Sequence, residues 1–118
     1  MDTAMNVDEI AERLRFEWSA DGGFLCGLRS GQFDKTASER FLRVLESVDP
    51  ADPHRFDPRI AGRLWFIPFY MLSHIHNSED LGLDTRERRQ VMWQVNNILA
   101  VIFGGQLGAP TADEDVPE

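Results

Sequence analysis

Between Ile60 and Ile75 the chain carries apolar side chains on every side of a helix, with a proline in the middle, and this segment constrains the rest most. Ile60, Leu64, Ile67, Met71 and Ile75 recur at helical spacing. Ala61, Trp65 and Leu72 widen that stripe, while Phe66, Phe69 and Tyr70 cover the opposite side. A helix apolar all round is normally the buried centre of its domain, so the pattern predicts a third helix over about 58–76 that other helices surround. Asp57-Pro58 opens it, a capping residue followed by proline at the first helical position. Pro68 removes a backbone hydrogen bond, and a kink is expected there.

Three further periodic segments supply the cover. The first opens at Asn6 with Glu9 three residues later, a capping pair in which each side chain serves the other's free backbone N–H. Val7, Ile10, Ala11, Leu14 and Trp18 then mark one face. At Asp21-Gly22-Gly23 the reading forks. Leu25 and Leu28 fall in phase with Leu14 and Trp18, which predicts one long helix weakened near Gly22, with Gly23, Gly27 and Gly31 lined up as a groove. Alternatively, Phe16, Trp18, Phe24, Cys26 and Leu28 alternate as a β-hairpin over 14–28 would. The long helix is the preferred reading.

The second helix begins near Asp34 or Thr36, where Thr36 and Glu39 form another capping pair. Its core face is Ala37, Phe41, Leu45 and Val48, and Asp49-Pro50 ends it. The fourth starts at Asp84, paired with Glu87, and runs to Phe103 before Gly104-Gly105. Its stripe is Val91, Val95, Ile98 and Ile102. The expected fold is therefore all-α, a single-domain bundle of about four helices over residues 1–105. The segment 106–118, ending TADEDVPE, reads as a disordered acidic tail.

The formal net charge is −8 on 118 residues, and only the stretch 58–76 is positive, at +2. No basic footprint for nucleic acid exists, and a basic partner is easier to accommodate. The longest apolar run, Leu64 to Leu72, is too short to cross a bilayer. The first residues lack the basic start and apolar stretch of a signal peptide. Cys26 is the single cysteine, so no internal disulfide is possible. A cytoplasmic location without nucleic acid or membrane partners is expected. Eleven of the twelve basic residues are arginine, a bias associated with GC-rich bacterial genomes.

Catalytic and cofactor motifs are missing: there is no GxxxxGK[ST], GxSxG, HExxH or CxxC. No catalytic residue and no cofactor are assigned, and an enzyme is the less favoured class. His74 and His76 point apart on a helix, so they do not chelate jointly, and no metal is expected.

Two sets of residues stand out. On a helical wheel Trp93 lies opposite the core stripe of the fourth helix, together with Arg86, Arg89 and Asn97. An aromatic beside arginines has the composition of an interface hot spot. The other set, Trp65, Phe69, Tyr70 and His74, would line a pocket near the Pro68 kink if the bundle binds a ligand or acts as an enzyme. The general profile, a short acidic helical domain without catalytic motifs, is similar to that of bacterial inhibitor and immunity proteins. It is a likeness of profile, with no residue to carry over. The preferred expectation is a protein-interaction module that binds and blocks another protein. A structural homodimer burying the surplus aromatic face of the third helix is a further alternative.

Overall fold

A computed structural model describes residues 6–104. Within them the chain is all-α, with helices α1 (Val7–Ser19), α2 (Phe24–Arg29), α3 (Lys35–Glu46), α4 (Pro58–Leu64), α5 (Ile67–Asp80) and α6 (Arg86–Leu99). A 3-10 turn at Pro53–Phe56 precedes α4, and a π-helical turn at Ala100–Gly104 continues α6. No strand occurs among the described residues. The expected acidic tail over 106–118 lies outside them.

The β-hairpin alternative over 14–28 is not formed, and neither is one long helix. The capping box at Asn6 and Glu9 starts α1, with bonds of 2.9 and 3.1 Å. Helix α1 stops where Ala20 turns extended, and Gly23 is the residue just before α2. The cause is Glu17, whose buried carboxylate accepts the Phe24 N–H at 2.9 Å and so caps the new helix. Gly23 must be glycine: a Cβ there would lie 2.3 Å from the Phe16 carbonyl oxygen. The expected row of three glycines is lost as well, since Gly23 precedes α2, Gly27 lies inside it and Gly31 follows it. At Gly31, with φ of 80°, the chain reverses as Gln32 N–H bonds the Gly27 carbonyl. Gly82 closes α5 identically, its φ of 82° letting Leu83 N–H reach the Ser78 carbonyl.

Two expected capping pairs shift. Asp34, rather than Thr36 with Glu39, caps α3 by accepting the Ala37 N–H at 3.1 Å. Asp84 accepts from Arg86 N–H at 3.0 Å rather than pairing with Glu87.

The third sequence segment divides into α4 and α5. Pro68 has no N–H to give the Leu64 carbonyl, and the helix breaks at Trp65–Phe66 instead of kinking at the proline. Pro68 then sits in the first turn of α5, where a missing donor costs nothing. Ile60, Leu64, Ile67, Met71 and Ile75 all point inward and are buried. Around them pack Leu14, Leu25, Phe41, Leu45 and Val95, with Phe24 stacked on Phe41 at 5.1 Å between ring centres. Helix α1 contacts α2, α3 and α4; α6 lies against α3 and α5.

Candidate functional site

The break at Trp65–Phe66 produces the most distinctive surface. With the inner stripe of α4 and α5 committed to the core, Trp65 and Phe69 turn outward and remain 69% and 68% exposed, and Phe66 between them 36%. The expectation that this segment is covered on all sides therefore fails on its aromatic flank. Helices α1, α2 and α6 pack against α4 and α5, and among the described residues none covers Trp65 or Phe69.

These rings touch. Phe66 lies 5.5 Å from Trp65 and 5.6 Å from Phe69, centre to centre. Behind them, Trp18 stacks on Phe66 at 6.3 Å and meets Tyr70 edge-on at 4.7 Å. Both inner rings are fixed by their polar tips. Trp18 Nε1 donates to the Arg63 carbonyl at 3.1 Å, and the Tyr70 hydroxyl donates to the Leu25 carbonyl at 2.8 Å. The patch therefore rests on anchored rings joining α1, α2 and α5, a rigid support for whatever meets it.

His74 closes the row, 4.5 Å from Tyr70. Burial, aided by the nearby Arg29 cation, holds its imidazole below the ordinary histidine value and favours its neutral form. Burial also raises the Tyr70 phenol.

Trp65, Phe69, Tyr70 and His74, expected around a pocket, thus come together as an open face. Two grooves among the described residues lie elsewhere. One of about 370 Å³ runs between α1 and α3, lined by Phe16, Glu17 and Arg40. Another of about 290 Å³, lined by Leu45, Val48, Ile98 and Val101, lies between α3 and the end of α6. Trp18 and Phe66 belong to the aromatic face but were not among the residues singled out from sequence. A signal was present: three aromatics opposite a complete core stripe exceed what the remaining helices can cover.

Trp93 on α6 is 64% exposed. The arginines beside it are engaged within the chain. Arg86 binds Asp84 at 2.7 Å, and Arg89 grips Glu79 with two bonds of 2.8 and 2.9 Å. Asn97 is exposed and borders the groove at Ile98 and Val101. Trp93 is therefore a single ring on a polar face, whereas Trp65, Phe66 and Phe69 form a continuous one.

Cys26 is a partly buried free thiol with Arg29 Nη2 at 3.8 Å. Among the described residues, no three His, Cys, Asp or Glu side chains converge as metal ligands. Nor is any helix there long and apolar enough to cross a membrane. Comparison with protein-family models, with curated proteins and with solved structures returns no match to this chain.

Proposed function

We propose that this chain is a small protein-interaction module that docks through the aromatic corner of Trp65, Phe66 and Phe69. The observation that carries the reading is that two large rings, each about two-thirds open, adjoin a third and rest on the anchored Trp18 and Tyr70. Contiguous exposed apolar surface marks interaction sites on proteins of this size. Aromatic anchors dominate binding energy, and rings already held in place lose little freedom on docking. The acidic remainder of the chain favours partners without a strong negative field. Trp93 offers a second, smaller contact point.

The test places a photo-reactive benzoylphenylalanine at position 69, with position 43 on the exposed side of α3 as control, and irradiates native cells. A protein adduct specific to position 69 is expected. Equal labelling at both positions, or none, overturns the reading.

A further inference from the structure

Resting on that reading, we infer that the occupant of the aromatic corner is a second copy of this chain, docked antiparallel along α5 about a two-fold axis. From Leu64 to Ser78 the sequence contains no Asp, Glu, Lys or Arg. The outward positions of that stretch are Trp65, Phe66, Phe69, Ser73, His76 and Asn77. Each copy carries a net charge of −8, so two copies repel wherever carboxylates face each other. A face without carboxylates avoids that cost.

The two ends of this face carry opposite charges. Arg63, at its start, donates to the Arg59 carbonyl and meets no carboxylate among the described residues. Asp80, at its end, is exposed and meets no cation among them. A two-fold axis across the helix makes one patch serve both copies, with residue i against residue j and j against i. Arg63 lies just before the break and Asp80 ends α5, so the two stand at opposite ends of the face. An antiparallel pair centred between them brings Arg63 of each copy to Asp80 of the other. It also sets the positive end of α5 against the negative end of its mate. Ser73, small and exposed, lies near the middle and lets the helices approach.

The aromatic corner supplies close to half the area of a standard interface. The open parts of Trp65, Phe66 and Phe69 amount to on the order of 300–400 Å² per copy. The flanking helix surface carries this toward the roughly 800 Å² per partner of a standard interface.

Sedimentation of the full chain over a concentration series tests the inference. A species of twice 13.5 kDa is expected to form. Phe69→Asp should weaken it at least about 100-fold while leaving the thermal melt unchanged. Arg63→Glu and Asp80→Arg should each weaken it roughly fivefold or more. Mixing these two variants should restore association, because both contacts in the mixed dimer are then of opposite sign. The mixing arm stands even if Phe69→Asp fails to fold.

A monomer at every concentration overturns the inference. So does a dimer indifferent to Phe69→Asp, a mixture no tighter than its components, or a dimer lost only on truncation after Gly104. An adduct at position 69 with a different protein, from a chain that sediments as a monomer, refutes the dimer and leaves the interaction module standing. Absence of any adduct removes the reading beneath it.

Discussion

Arg40 of α3 grips the buried Glu17 of α1 with two parallel N–H donors, Nε to Oε2 and Nη2 to Oε1, both at 2.8 Å. The same guanidinium also donates to the Gly22 carbonyl at 2.8 Å and lies 5.0 Å over the Phe16 ring. Since Glu17 simultaneously caps α2 through Phe24 N–H, one carboxylate holds three helices. Its solvent exposure is only 1%, so every interaction it loses leaves buried polarity behind.

Glu17→Ala should therefore be among the most damaging single changes. It removes the cap of α2 and leaves the Arg40 guanidinium without its carboxylate. Breaking a buried pair costs about 3–5 kcal/mol; because Arg40 is one-third open to solvent, about 2–4 kcal/mol is expected here. Urea unfolding measures it. A loss under about 1 kcal/mol would show that the junction relaxes without its carboxylate.

Two glycines should respond in opposite directions to alanine. At Gly23 the added Cβ would meet the Phe16 and Glu17 carbonyl oxygens at 2.3 and 2.7 Å, both backbone atoms that cannot move aside cheaply. Gly23→Ala should destabilise by about 2 kcal/mol or more. At Gly62, inside α4, nothing lies within 4 Å of the new atom. Gly62→Ala should stabilise by about 0.5–1 kcal/mol through helix propensity. Thermal melts of both variants, compared with the parent, decide the pair.

Acid should loosen the α5–α6 junction. Hydrogen bonds from Arg89, and next from Thr85, hold the Glu79 carboxyl at about 2, below its ordinary 4.5. A carboxyl depressed in the folded state binds protons less readily there than when unfolded. Its contribution is thus fully present above the unfolded value and is lost as pH falls through the folded one. The melting-temperature advantage of the parent over Glu79→Gln should hold above about pH 5 and vanish near about pH 2. An advantage that persists unchanged at the acid end would refute the assignment.

Tryptophan removal should separate surface from core. Trp93→Ala is expected to change stability by less than about 1 kcal/mol, because its ring is largely in water. Phe41→Ala, at a fully buried position against Phe24, should cost about 3–5 kcal/mol. If Trp93→Ala also weakens self-association or partner capture about tenfold or more, the α6 face joins the interaction surface. If association is unchanged, that face is ordinary surface. Chemical denaturation and sedimentation give both readouts.

The sequence by itself determined the helical class and the inward stripes, because spacing of three and four residues places side chains on one face whatever lies opposite. Asn6 with Glu9, Asp57 before Pro58 and the Ile60–Ile75 stripe were legible for that reason: each depends on neighbours within a turn or two. Only the tertiary structure decided where the helices break and which aromatics stay outside. The division at Ala20–Gly23 depends on Arg40, twenty-three residues from Glu17, drawing that carboxylate inward to cap α2. Pro68 announced an interruption but not its position; the chain broke one turn earlier, where Trp65 and Phe66 could turn outward while Leu64 and Ile67 stayed in the core. Local spacing states that a helix has two apolar faces. Whether both are covered depends on how many other helices can reach them, and around α4 and α5 the described residues leave one face open.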